Sequence, residues 1–365
     1  MSMPVTNQFI PPLLDWYTQQ AAALPWRENT DAYRVWLSEM MLQQTQVSTV
    51  IPYYLRFLEN FPTVYDLAAA ERDTVLKLWE GLGYYSRARN LHKAAQMVVN
   101  DYGGQFPSDA VTLQNLPGIG RYTAGAIASI AYNQPAPVLD GNVIRVFSRI
   151  FNIAEDVTLP ATQKRLWEIA EELVPTERPG DYNQALMELG RTICKPRNPL
   201  CEQCPINTYC EAHQLGIEDE RPIKAKKAPT PHYDVTAGLI RNAERQLLIA
   251  KRPDDKLLGG LWEFPGGKQE PGESLPDCLA RELYEELNIQ VEVGAYFVQV
   301  KHAYTHFKIT LHVFECTYLP EGGEPECLAC ADWLWVDQTD LDQFAFSAAD
   351  RQVIAELKAR PQKLL

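Results

Sequence analysis

Apolar residues in this chain of 365 repeat with one period before residue 217 and another after residue 234, and no single layer architecture accommodates both. In AYRVWLSEMMLQQ (32–44), DTVLKLWEGL (73–82), RNLHKAAQMVVNDY (89–102) and TQKRLWEIAEELV (162–174) they recur every three or four residues, which is one helix face. Pro and Gly separate these runs. Later, YDVTAGLIR, QLLIAKR, QVEVGAYFVQV and FKITLHVFECTYL are alternating or β-rich, with one helical run, LPDCLARELYEELNI (275–289), among them. The intervening IEDERPIKAKKAPTPHYD (217–234) is polar, holds three prolines and has no apolar period, so it reads as a linker crossing a surface. The expected organisation is an all-α domain over 1–216, a linker over 217–232 and an α+β domain over 233–365.

Composition bears on the choice of partner. With 46 % hydrophobic and 22 % charged residues the chain has material for two cores, and disorder is excluded as its main state. The formal charge of −13 excludes a wholesale basic surface. It is unevenly spread: −8 over residues 1–220, +4 over 221–232 and −9 over 233–365, so any contact with nucleic acid is focused on few sites and salt-sensitive. No apolar stretch approaches the roughly 18 residues of a membrane span, and MSMPVTNQF lacks the regions of a signal peptide. The expectation is a cytoplasmic protein without a membrane partner.

Four cysteines cluster as Cys194-x6-Cys201-x2-Cys204-x5-Cys210 among Pro196, Pro199 and Pro205. In a reducing compartment, four thiols on short turns point to metal thiolates rather than disulfides. Zinc usually takes two Cys-x2-Cys knuckles, and only one is present, so the spacing favours an iron–sulfur cluster while leaving zinc open. Lys195 and Arg197 lie inside the first loop, where a rigid cluster would hold both cations towards a phosphate backbone. Upstream, LPGIGRYTA (116–124) sits between a helix expected from about Ser108 and a second helix, TAGAIASIAY. Gly118 and Gly120 allow a tight reversal, and free N–H groups opening the second helix can bind phosphate without many charges.

This hairpin and the cysteine loop together resemble the endonuclease III superfamily of DNA base-excision glycosylases, an all-α helix–hairpin–helix fold with a [4Fe-4S] cluster. The superfamily places an Asp about 20 residues past the hairpin, here Asp140 in VLDGNVIRV. Its strand-cutting members carry a Lys after the Gly-Arg of the hairpin, where this chain has Tyr122, so a glycosylase without lyase activity is expected. Within the superfamily, WLSEMMLQQTQV (36–47), PWR (25–27), GLGYYSRARNL (81–91) and YNQALMELGR (182–191) resemble the adenine DNA glycosylases nearly throughout the chain.

That resemblance implies a pair of acids. Glu39, flanked by Leu37, Met40, Met41 and Leu42, would keep a raised pKa and protonate the leaving adenine; Asp140, beside Gly141 and Asn142, would remain ionised and stabilise the oxocarbenium-like sugar. Tyr122 and Asn142 would hold Asp140 and the sugar, and Trp26, Arg27 and Gln184 would line the adenine pocket. Gln44, Thr45, Leu82 and Tyr84 would wedge into the duplex as the base leaves the stack.

Residues 267–289 fit the Nudix signature through Gly267, Glu273, Arg281, Glu282, Glu285 and Glu286, with Asn288 replacing its Gly. Asn tolerates the left-handed conformation, so this departure does not exclude activity. A Nudix-like α/β/α sandwich is expected here. Mg²⁺ enters only if these glutamates form an active site; a salt-bridged, inherited helix is the preferred alternative. In adenine glycosylases the equivalent domain recognises 8-oxoguanine through a Phe-Ser-His element, matched here by Tyr304, Thr305 and His306. Cys327-x2-Cys330 lacks a second ligand pair and is not read as a metal site. The function expected is excision of adenine opposite 8-oxoguanine, or G, from double-stranded DNA by a monomer, nucleoid-associated in a bacterium. A Nudix 8-oxo-dGTP pyrophosphohydrolase with a DNA-binding helical part and a non-catalytic lesion sensor are the competing expectations.

Overall fold

The computed structural model describes residues 7–225, 229–320 and 323–360. Its helices are α1 (Ile10–Gln20), α2 (Ala32–Leu42), α3 (Val47–Asn60), α4 (Val64–Ala69), α5 (Arg72–Trp79), α6 (Ser86–Tyr102), α7 (Ala110–Leu113), α8 (Arg121–Tyr132), α9 (Gly141–Ile150), α10 (Pro160–Leu173), α11 (Pro179–Thr192), α12 (Glu211–Leu215), α13 (Leu275–Leu287) and α14 (Ala348–Ala359). The strands are β1 (His232–Arg241), β2 (Leu247–Lys251), β3 (Trp262–Glu263), β4 (Gln290–Ala303), β5 (Lys308–Leu319) and β6 (Asp332–Val336). Two compact units result. Residues up to 69 and from 90 to the linker form the helical one, whereas residues 70–89 join the C-terminal part in the other. None of the described helices is long and apolar enough to cross a membrane.

The helical unit follows from its caps and its apolar stripes. Asp31 caps α2 by accepting the Arg34 N–H at 2.9 Å, and every residue from Val35 to Met41 is buried, so this helix runs through the interior. Helix α8 opens at Gly120 and closes at Asn133, whose φ of 53° ends it in the left-handed conformation. The helix expected from about Ser108 is the four residues of α7, capped by Asp109. Helices α1, α9, α10 and α11 bury Leu13, Val146, Leu166 and Leu186 in one core. Two glycines permit close approaches there: a Cβ on Gly125 would lie 2.1 Å from the Pro137 carbonyl oxygen, and one on Gly190 would lie 2.6 Å from Asn142 Cβ. The start of the expected linker is anchored rather than loose, because Ile223 O accepts from Val157 N–H at 3.0 Å and Asp156 accepts from Ala225 N–H at 2.8 Å.

In the second unit a mixed sheet runs β3-β2-β1-β5-β4, with β6 also on β2; β1 and β5 pair in parallel, and the other neighbours are antiparallel. Alternation along β2 sends Leu247 and Ile249 to one face and Leu248 and Ala250 to the other. Helix α14 covers the first face with Val353, Ile354 and Leu357, and α13 the second with Leu279, Leu283 and Leu287, completing an α/β/α sandwich. The periodicity reading missed α14 and the short strands β3 and β6; β3 has two residues, too few to show a period. Asn288 closes α13 at φ 53°, the left-handed conformation expected of it. Strands β4 and β5 form a long hairpin whose tip, residues 304–307, is closed by Tyr304 N–H donating to Phe307 O at 2.8 Å.

Candidate active site

Helix ends of the first unit converge on a cavity of about 970 Å³ lined by Trp26, Arg27, Glu39, Gln44, Thr45, Tyr122, Asp140, Asn142, Gln184 and other residues. All the expected acid and adenine-pocket residues are therefore brought together.

Glu39 sits on the buried α2 at 5 % exposure. Burial pushes its carboxyl up to about 7; the Tyr122 hydroxyl, donating to Glu39 Oε2 at 2.7 Å, restrains that rise, nearby Asp140 adds to it, and Arg27 opposes it. Asp140 is the N-cap of α9. Its Oδ1 accepts the N–H groups of Asn142 at 2.9 Å and Val143 at 2.7 Å, and its Oδ2 accepts from Asn142 Nδ2 at 2.7 Å. Burial raises the Asp140 carboxyl above its ordinary value, against these three donors and the charge of Arg145. The helix N-terminus adds a positive end at the same place. One carboxyl is thus set in an apolar helix wall beside a hydroxyl, and the other in a nest of N–H donors suited to an anion.

The expected role of Tyr122 needs correction in one respect: its hydroxyl is given to Glu39, while Asn142 holds Asp140. The Trp26 ring meets Tyr54 edge-on at 5.4 Å, and Arg27 donates to Glu188 at 3.1 Å and to Ala22 O at 3.2 Å. Glu188, only 3 % exposed, is shared with Arg191. Sequence reading missed Glu188 and also Arg145 and Arg149. Arg145 donates to Asn142 Oδ1 at 2.8 Å, Gly190 O at 2.7 Å and Cys194 O at 2.6 Å. Arg149 donates to Cys194 Sγ at 3.2 Å, Lys195 O at 2.7 Å and Glu218 O at 2.8 Å. Two arginines four residues apart on the buried face of VIRVFSRI were the available signal.

Gly118 has φ +77°, and a Cβ there would lie 2.7 Å from Asn90 Cβ, so the hairpin turn requires glycine. Leu116 and Ile119 are buried beneath the turn and leave Gly118 and Gly120 exposed at the start of α8. Cys194, Cys201, Cys204 and Cys210 line a single small cavity with Arg149, His213 and Glu218. Burial pushes the Cys201 and Cys204 thiols up to about 12 and that of Cys210 to about 11, with the other cysteines adding to the rise. Four converging thiolates are thus stable only beside a multivalent cationic centre, which is what this donor set fits. Lys195 is half-buried and Arg197 exposed on the first turn of this loop.

The remaining expected residues lie in the second unit. Leu82 is corrected: at 5 % exposure it is buried and does not project as a wedge, whereas Tyr84 is exposed. The hydroxyls of Tyr84 and Thr305 are hydrogen-bonded to each other. Thr305 and His306 are exposed at the hairpin tip, and the Tyr304 ring packs between His302, at 4.6 Å, and Phe307, at 4.8 Å. Arg281 pairs with Glu273 at 2.8 Å and with Glu282 and Glu285 at 3.0 Å each. Cys327 and Cys330 form a disulfide.

Residues 37–172 match the HhH-GPD superfamily of base excision DNA repair proteins, residues 194–210 the iron–sulfur binding domain of endonuclease III, and residues 236–356 the NUDIX domain. The chain therefore carries an iron–sulfur site on its four clustered cysteines. It is 39 % identical over 394 residues to the adenine DNA glycosylase of Rattus norvegicus, covering 93 % of this chain and 76 % of that one. The adenine DNA glycosylase of Homo sapiens is 38 % identical over 397 residues, covering 93 % and 72 %. A solved thermostable thymine-DNA glycosylase superposes with a TM-score of 0.52 at 30 % identity, over 57 % of this chain and 95 % of that one. Its two acids in one cavity, its hairpin, its cysteine loop and its relatives along nearly the whole chain make this protein a member of the adenine DNA glycosylase family.

Proposed function

We propose that the protein removes adenine from double-stranded DNA where the adenine stands opposite 8-oxoguanine or G, hydrolysing the N-glycosidic bond and leaving the strand intact. The observation that carries this reading is Glu39: a carboxyl at about 7, in an open cavity of about 970 Å³ with room for an extruded base and shared with Asp140, can be the neutral acid while its neighbour is the anion. Glu39 donates its proton to the ring of the extruded adenine. The bond to the sugar then breaks with its electron pair going to the purine, Asp140 stabilises the cationic sugar, and water completes the hydrolysis. Tyr122 orients Glu39, and Asn142 holds Asp140. Trp26, Arg27 and Gln184 bound the adenine. Tyr122 stands at the position of the lyase Lys, and none of the described residues lining the cavity carries an amine for a Schiff base, which supports a glycosylase that leaves the strand uncut.

Gly118 and Gly120 at the start of α8, with Lys195 and Arg197, grip the backbone. A [4Fe-4S] cluster on Cys194, Cys201, Cys204 and Cys210 supplies a rigid tie for the loop that presents those two cations. Gln44, Thr45 and Tyr84 fill the space left in the stack, and Tyr304, Thr305 and His306 read the opposite base. The Nudix-like unit thus acts as a reader without Mg²⁺, a role supported by the pairing of Arg281 with three of its glutamates. The protein works as a monomer in the cytoplasm, on the nucleoid if its host is a bacterium. The test offers duplexes with A opposite 8-oxoguanine, G or T. Adenine release should be fastest with 8-oxoguanine, and breaks should appear only after alkali; efficient nicking in neutral buffer with a borohydride-trapped complex overturns the mechanism.

A further inference from the structure

The turn that presents Tyr84 is built from left-handed residues. Gly81 has φ 100°, Gly83 70° and Tyr84 itself 48°, a conformation that a non-glycine residue keeps only when its surroundings hold it there. Part of the hold is local: Trp79 Nε1 donates to Gly83 O at 3.1 Å, and Arg87 Nη2 donates to Leu82 O and Gly83 O at 3.1 Å each. A further hold comes from the other end of the sequence, through Glu80, the residue that ends α5. Its Oε1 accepts the Phe346 N–H and Arg351 Nε, both at 2.8 Å, and its Oε2 accepts Arg351 Nη2 at 2.6 Å and Lys77 Nζ at 2.9 Å. Lys77 Nζ also donates to Phe344 O at 2.8 Å. Glu80 is mostly buried and takes Arg351 in a two-pronged pair, the geometry that fixes orientation as well as charge.

Phe344 and Phe346 belong to the same apolar cluster as Tyr304 and Phe307 of the hairpin tip. The turn is therefore held at its base by residues 344–351 and at its tip by the Tyr84–Thr305 hydrogen bond, and both holds stand on one packed core.

We propose that Glu80 is a positioning residue: through Arg351 and Lys77 it fixes the Gly81–Tyr85 turn to the core that carries the 304–306 reader, so that placing Tyr84 in the duplex and reading the opposite base become one event. This rests on the reading of 8-oxoguanine given above. Glu80 touches no base; it sets where Tyr84 stands when Thr305 meets the lesion. A second pair on the same segment, Asp73 with Lys251 at 2.7 Å, is exposed on the Asp73 side and belongs to the first turn of α5, at the opposite end of that helix from Glu80, which makes it the control.

The test measures dissociation constants of the full chain for duplexes in which a cleavage-resistant 2′-fluoro-2′-deoxyadenosine faces 8-oxoguanine or G. Glu80→Gln and Arg351→Met should each lower the preference for 8-oxoguanine roughly 10-fold, and the double variant should lower it no further, because both remove one tie. Asp73→Asn should leave it unchanged. Equal weakening on both duplexes, or the same loss in Asp73→Asn, would mean that the pair merely stabilises the unit and overturns the proposal. Unchanged preference in both Glu80→Gln and Arg351→Met overturns it as well. If the wild-type chain itself shows no preference, the functional reading fails first, and the two failures are told apart in one series.

Discussion

At the scale of single residues, the proposed chemistry turns on how burial treats two carboxyls. Glu39 is raised to about 7 because α2 withdraws it from water, and the hydroxyl of Tyr122 only tempers this. In the proposed mechanism Glu39 must be protonated to release adenine, so the single-turnover rate is expected to fall as pH rises through about 7, measured by alkali-developed product at saturating enzyme. Glu39→Gln and Asp140→Asn should bind the duplex but lose roughly 10²–10⁴-fold in that rate. The same burial has a cost in stability. A carboxyl whose folded pKa is raised contributes its full stability below the unfolded value near 4.5, and loses it as pH rises through the folded value. Thermal unfolding should thus show Glu39→Gln gaining up to about 3 kcal/mol on the wild type between pH 4.5 and pH 8. A pH-independent difference between the two would show that Glu39 is not the titrating group.

Between elements, α9 and α11 meet where Gly190 lies against Asn142, at a distance that leaves no room for a methyl group. Asn142 is in turn held by Arg145 and holds Asp140. Gly190→Ala is accordingly expected to cost about 1–3 kcal/mol of stability by overpacking and to slow adenine release more than it weakens DNA binding, because it displaces the residue that positions the anion. Circular dichroism melts beside single-turnover rates and binding constants decide this; a loss in binding equal to the loss in rate refutes it. Sequence periodicity found α2, α6, α10 and α13 because each shows an apolar stripe over three or more turns. It overestimated α7, which is one turn under a tight hairpin, and missed α14, whose Val353, Ile354 and Leu357 acquire a meaning only when a sheet face lies beneath them.

For the whole molecule, the division of labour runs differently from the division of the sequence. Residues 70–89 are flanked by helices of the first unit but fold with the second, through Glu80–Arg351, Arg72–Asp254 and Asp73–Lys251. The exposed Thr305 and His306 at the β4–β5 tip are expected to carry lesion preference rather than catalysis. Thr305→Ala with His306→Ala should erode the preference for 8-oxoguanine over G by about 1–3 kcal/mol per lost contact, leaving the rate on a saturated A·G duplex within a few-fold. Competition binding and single-turnover kinetics on the two duplexes test it, and a variant that keeps its preference contradicts the assignment to the hairpin tip.

Much of this protein was determined by local sequence. Two domain classes follow from two apolar periods, a turn at Gly118 from the need for positive φ, a metal site from four cysteines on short turns, and an anion-holding cap from Asp140 before a helix; each is set by interactions within a few residues. Tertiary structure decided the rest. That Tyr122 gives its hydroxyl to Glu39, that Arg145 spans from Asn142 to the cysteine loop, and that residues 70–89 change partners depend on contacts between residues 49 to 271 positions apart, and packing likewise buries Leu82 while Tyr84 stands out. No local propensity encodes such contacts. They exist only once packing has chosen which buried polar groups can satisfy one another.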